Sequence, residues 1–379
     1  MQDLVTVFGG SGFIGTQIVR ALAKRGLRIR VAVRQPHLAH TMRLMGDVGQ
    51  VEVVQANIRD EASVRRALRG AQACVNAVGA FYETGRQKFG KLHVEGAANV
   101  ARLAREAGVE RLVLISGIGA DPESPSDYIA SKGQGEVVTR EAFPGAVILR
   151  PSVVFGQGDS FFNKFAQMAV FSPVLPLVGG ATRLQPVFIG DVARAAATAV
   201  VDPTCAGRTY ELGGPGVYTG REVLELVLAE TGRRRGIVPL SFQVAGMLGK
   251  LMAPIALFTP IAPPITSGQV ELLKSDNVVD PALPGLADLG VTNPISAEAI
   301  LPTYLYRFRK GGQFGAQVVV LGHARRGKAA TAFTAGRCRG RLMSVRTVAS
   351  SVRGPASLPT SFAAGTVSDA RHETRLDSL

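Results

Sequence analysis

The sequence predicts an α/β fold: a doubly wound parallel sheet, a smaller and partly interleaved C-terminal α/β lobe, and a disordered tail. Three observations predict it. From residue 4 to about 155, short β-branched runs alternate with longer helix-compatible stretches, the pattern of parallel strands joined by crossover helices. After Pro151 glycine and proline thicken at Gly156, Gly158, Pro173, Pro176, Gly179 and Gly180, ahead of helical stretches near Asp191 to Val201 and Arg221 to Thr231. Beyond about Gly315 there are two aromatics in 64 residues and no period except Val318 to Leu321, the composition of a chain that cannot bury a core. The expected divisions are 1–155, 156–315 and 316–379.

Six strands are expected, at Leu4 to Phe8, Arg28 to Arg34, Val51 to Gln55, Ala73 to Ala77, Arg111 to Ser116 and Ala146 to Arg150. The first runs directly into Gly9-Gly-Ser11-Gly12-Phe13-Ile14-Gly15, and an amphipathic helix follows through Val19, Leu22 and Ala23. Gly9 allows the tight turn, Gly12 lets the backbone approach a pyrophosphate, and Gly15 lets the helix pack closely on the strand. The helix N-terminus adds unpaired N–H donors for the anion. Strand before and helix after make this a Rossmann-type dinucleotide turn rather than a merely structural one.

Of 379 residues 46% are apolar and 19% charged, enough to bury one large or two modest cores. The net charge is +14, and residues 316–379, with 10 basic and 3 acidic side chains, carry half of that excess. With neither aromatic stacking platforms nor a basic helix, this tail is read as solvated, not as a specific nucleic-acid binder. Cys74, Cys205 and Cys338 lack any CxxC spacing or a nearby histidine pair, so no metal site or disulfide framework is indicated and a reducing compartment is expected. An apolar strand beginning at Leu4 leaves no room for a leader, which points to the cytoplasm. The nearly uncharged stretch Gly236 to Val270 is broken by Lys250 and five prolines, so no membrane-spanning helix is expected. It reads as a cap within the molecule or as a peripheral contact with a membrane or partner.

Tyr128 and Lys132 stand four residues apart in a stretch of helical character, and Ser116 ends the fifth strand twelve residues earlier. With only 6 Tyr in the chain, a chance pair at this spacing is rare. A lysine cation beside a phenol favours the phenolate, making Tyr128 a usable proton donor and acceptor. Lys132 would also hold the nicotinamide ribose, and Ser116 the substrate oxygen. The Tyr–Lys pair serves equally for cofactor contact without turnover, and both readings stay open.

The GxxGxxG spacing resembles the extended and atypical short-chain dehydrogenase/reductase families. The second strand ends Val31-Ala-Val-Arg34 with no acid to grip a ribose 2′-hydroxyl, so Arg34 suits the 2′-phosphate, favouring NADP(H) over NAD(H). The resemblance places Asn57 where an acid stands near adenine, Ile58 on the ring, and Ala77, Val78 and Gly79 along the cofactor. Glu141 to Met168, which includes Pro151 and Val153, Gln185-Pro-Val-Phe-Ile-Gly-Asp191-Val, Asp276-Asn-Val-Val279 and Pro284 to Val291 together resemble the alpha subcomplex subunit 9 family of respiratory complex I and its bacterial relatives. That resemblance covers about 1–312. It implies an NADPH held for stability rather than turnover, Pro151 and Val153 lining the cofactor, and complex I subunits or quinone-biosynthesis proteins as partners. The missing mitochondrial leader fits a bacterial cytoplasm. Relatives commonly carry Asn where His93 stands, and His93 is read either as a proton relay or as a satisfied interior histidine. The alternatives to an accessory or assembly protein are an active NADPH-dependent oxidoreductase or epimerase using Ser116, Tyr128 and Lys132, and a membrane-surface scaffold.

Overall fold

A computed structural model describes residues 3–85, 87–247 and 267–314. The six expected strands are present: β1 (Leu4–Phe8), β2 (Arg28–Val33), β3 (Val51–Gln55), β4 (Ala73–Asn76), β5 (Arg111–Ile115) and β6 (Val147–Pro151). Short strands β7 (Val154–Phe155), β8 (Val174–Val178), β9 (Arg183–Leu184) and β10 (Val187–Phe188) follow, then β11 (Thr209–Leu212). The central sheet has seven strands, all parallel, in the order β11-β6-β5-β4-β1-β2-β3. Strand order reverses between β1 and β4, and in open α/β sheets ligands bind at the carboxyl ends beside such a reversal.

Side chains alternate across the sheet and bury two cores. Val5, Val7, Val31, Val75, Val113 and Leu149 face α1 (Phe13–Ala23) and α6 (Ile189–Val201). Phe8, Ala32, Cys74 and Leu112 face α2 (Glu61–Leu68) and α3 (Gly96–Glu106). The alanines of α6 let it lie against α1, where Arg25 donates to the Ala197 carbonyl at 2.9 Å. A third core, around Phe155, Phe162, Val227 and Leu301, joins α5 (Phe162–Phe171), α7 (Gly220–Thr231) and the helix Ala297–Leu305.

Motifs of the second half fasten this lobe to the sheet. The buried Asp191 carboxylate accepts from the Ile295 N–H at 2.7 Å and pairs with Arg194. Gln185 donates to the Gly214 carbonyl and accepts from the Val279 N–H, while Ser152 bonds Asn277. The stretch Gly236 to Val270 opens as a strand, Gly236–Leu240, parallel to β8; residues 248–266 within it, and the expected tail 316–379, lie outside the described residues. Among the described residues no helix is long and apolar enough to cross a membrane.

Candidate nucleotide and carbonyl site

The glycine turn is built as its spacing requires. Gly9 has φ +72°, a conformation that L side chains rarely adopt, and an added Cβ would lie 3.0 Å from the Ala77 carbonyl oxygen. A Cβ on Gly15 would come within 2.2 Å of the Gly9 oxygen, so only glycine lets α1 start this close to the turn. Gly12 precedes α1 with extended backbone and no side-chain cap, and the first turn of the helix carries no acid. Ser11 and Gly12 are exposed, with Phe13 and Ile14 half-buried behind them. Uncapped N–H groups at the positive end of a helix dipole fit a pyrophosphate, the group expected here.

The remaining expected residues gather at the carboxyl ends of the same strands. Arg34 is exposed immediately after β2. Asn57 follows β3, where its side-chain oxygen accepts from the Arg59 N–H at 3.2 Å. The Ile58 side chain turns into the core beneath α3, 2.4 Å from where a Gly96 Cβ would sit, and is 4% exposed. After β4, the turn Ala77–Gly79 runs from the glycine loop toward α4 (Asp127–Ala142): Cβ atoms added at Gly9 and Gly79 would lie 3.1 Å from Val78 Cγ2 and 3.5 Å from Lys132 Nζ. Pro151 ends β6, its carbonyl accepting from the Ile118 N–H, whereas Val153 packs with the third core.

Ser116 lies just beyond β5, 8% exposed, and its hydroxyl has no hydrogen-bond partner among the described residues. Lys132 donates from Nζ to the carbonyl of the neighbouring Ile115 at 3.3 Å, and burial lowers its pKa to about 8 against the opposing pull of Glu136. Tyr128 is walled by rings: Phe81 stacks on it at 5.9 Å between centroids, and Phe89 and His93 meet it edge-on at 5.6 and 5.8 Å. Burial pushes its phenol well above the ordinary tyrosine range. The phenol is protonated at neutral pH, as an ordinary tyrosine is. The arrangement offers a proton donor and an orphaned hydroxyl beside the nucleotide crevice.

Several contributors carry little sequence signal. Gly133 and Gly135 bring backbone against α4, since Cβ atoms there would lie 2.3 Å from Pro122 N and from the His93 oxygen. The buried Glu136 carboxylate, one turn beyond Lys132, takes a bidentate Arg150 guanidinium, which also reaches Glu211 at 3.6 Å. Glu83 fixes the wall by accepting from the Phe89 N–H at 2.8 Å and pairing with Lys88. His93, 5% exposed in a π-helical turn at Gly90–Glu95, is satisfied at both nitrogens, by the Ala80 N–H and the Ser131 hydroxyl. Burial and the Lys132 cation hold its pKa down to about 3, the behaviour of an interior histidine.

Comparison with known proteins agrees with this geometry. A family model described as NAD(P)H-binding matches residues 9–155. The mitochondrial NADH dehydrogenase (ubiquinone) 1 alpha subcomplex subunit 9 of Mus musculus is 34% identical over 302 residues, 78% of each chain. The chain belongs to the subunit 9 family. Its fold is of the extended short-chain dehydrogenase/reductase-like kind. A ceramide reductase of Caulobacter vibrioides is 34% identical over 192 residues, covering 51% of this chain and 59% of its own. Among solved structures, the NADPH-dependent quinone oxidoreductase QOR2 of Escherichia coli, complexed with NADPH, superposes with TM-score 0.62 at 20% identity, covering 78% of this chain and 97% of its own, a likeness of fold. The subunit 9-like chain is thus an NAD(P)-binding protein of Rossmann fold.

Proposed function

We propose that the chain holds NADP(H) as a retained, structural ligand and serves as an accessory or assembly protein beside respiratory complex I or quinone-metabolism proteins. The observation that carries this reading is the setting of the Tyr128–Lys132 pair: Phe81, Phe89 and His93 lie against the Tyr128 ring, and burial raises its phenol above the ordinary tyrosine range. Such a pair suits holding the nicotinamide end better than repeated proton exchange. Arg34, exposed after β2 where an acid would favour NAD(H), supports the phosphorylated nucleotide. Pro151 and Val153 are proposed along the cofactor beside Gly9, Ser11, Gly12, Gly15, Ala77, Val78 and Gly79, with Asn57 and the backbone of Ile58 toward adenine, since the Ile58 side chain is turned into the core. The names of the relatives support the partner class. Attachment would be peripheral, at the cytoplasmic face of a membrane.

The test is mass spectrometry of nucleotide released from native protein, with thermal unfolding. NADP(H) is expected to copurify, and NADPH at 100 times its Kd adds about 2.7 kcal/mol, more than equimolar NADH does. Protein that carries no nicotinamide nucleotide and gains no stability from NADPH sinks the reading. The partnerless Ser116 hydroxyl favours a second reading, an active oxidoreductase or epimerase whose substrate oxygen meets Ser116 and Tyr128. In that case Tyr128→Phe lowers NADPH oxidation by about 100-fold or more, and unchanged rates remove it.

A further inference from the structure

We propose that His93, acting with Ser131, is a positioning residue of the nucleotide site: its neutral imidazole ties the turn after β4 to the first turn of the Tyr128 helix. The inference rests on the NADP(H)-holding reading for its ligand, although the tie lies within the chain itself.

The hydrogen bonds fix the tautomer. Nε2 of His93 lies 3.1 Å from the Ala80 N–H, which can only donate, so Nε2 accepts and carries no hydrogen. The ring hydrogen is then on Nδ1, 2.9 Å from Ser131 Oγ. Ser131, accepting there, donates its own hydrogen to the Tyr128 carbonyl at 2.8 Å. Every donor in this series meets an acceptor; the opposite tautomer sets N–H against N–H at Ala80. Both ring nitrogens are engaged, so His93 acts through geometry and not as a proton shuttle. Its depressed pKa agrees, because a cation here would face Lys132 in a buried setting.

What the tie holds is the strip of backbone between the glycine turn and Lys132. One end of that strip, Ala77, abuts Gly9; the other, Ala80, is bonded by His93. Between them, a Gly79 Cβ would lie 3.5 Å from Lys132 Nζ and 3.8 Å from His93 Nε2. The imidazole is itself held from behind. Its residue sits in a π-helical turn, a rare geometry frequent at functional sites, and its carbonyl lies where only glycine at 135 leaves room. Phe89 stacks on the ring at 5.5 Å. The position of the strip relative to Tyr128 is thus set by three bonds through one side chain and one hydroxyl.

The experiment uses full-length protein loaded with NADPH, following nucleotide release by fluorescence with excess NADP+ as competitor. His93→Phe keeps the stacked ring and removes both bonds; Ser131→Ala removes the middle link; Ser131→Thr keeps a hydroxyl. Release is expected to be at least about tenfold faster in His93→Phe and Ser131→Ala, within about twofold of the parent in Ser131→Thr, and no faster in the double variant than in His93→Phe, since one series is broken once. Imidazole ¹⁵N shifts at pH 7 are expected to show the Nδ1–H tautomer. Ser131→Ala that loses melting temperature but releases NADPH at the parent rate overturns the proposal, as does an Nε2–H imidazole. If the parent holds no nucleotide, the NADP(H) reading fails while the tautomer still decides whether the tie exists.

Discussion

Lys132 shows how burial sets the working state of a side chain whose position the sequence makes plain. Its pKa falls from 10.5 to about 8, so between about pH 8 and 10 the unfolded chain keeps a proton that the folded chain has lost. Stability from this group therefore rises with pH across that window; above it the raised Tyr128 phenol acts in the opposite sense. Lys132→Met is expected to flatten the rise in urea midpoint between pH 8 and 10, and identical slopes in both proteins would contradict the assignment. Gly9, Gly12, Gly15, Tyr128 and Lys132 are legible because each belongs to a local spacing that one turn or one helix face enforces. The bond from His93 to Ser131 is not, because it spans 38 positions and neither residue belongs to a periodic pattern that brings them together. In the sequence His93 is open to a relay or an interior role, and its two partners decide for the interior one.

Among the elements, α4 is positioned less by apolar packing than by glycine contacts and one half-buried ion pair. Glu136 is nearly inaccessible and accepts from Arg150 Nε at 3.0 Å, linking the Tyr128 helix to β6. Removing Glu136 leaves Arg150, 23% exposed, with only the longer contact to Glu211, so Glu136→Ala is expected to cost about 1–3 kcal/mol in chemical denaturation. A loss below about 1 kcal/mol would mean that the guanidinium finds water or Glu211 instead. The expected strands match the observed ones within one or two residues of their bounds because β-branched runs mark them strongly. Those small differences matter: Arg34, Ala77 and Ser116 fall just past the strand ends, where the chain is free to face a ligand. The seventh strand, Thr209–Leu212, carries little signal because it is four residues long and includes a glutamate. Glu211 is accommodated by Arg150 and by the Asp280 N–H, partners no local window contains.

At the scale of the whole molecule, buried polar groups of the second half clip distant segments to the sheet and to the helices packed on it. Asp191 does so for the segment at Ile295, just ahead of the helix Ala297–Leu305. Asp191→Ala orphans that N–H and is expected to cost about 1–3 kcal/mol and to open the 291–305 region to proteolysis before global unfolding. Unchanged melting and unchanged cleavage would show that the clip is dispensable. The motifs that carried the family resemblance thus include scaffold residues, which explains why they made the lineage legible but left the chemistry open. The order of the strands also bears on biosynthesis. During translation β6 emerges as a bare rim with unpaired amides, and the segment that zips onto it, Thr209–Leu212, appears about sixty residues later. At bacterial and eukaryotic elongation speeds that interval is about 3 to 12 s, long enough for a sticky ribosome-bound intermediate to need a chaperone's shelter.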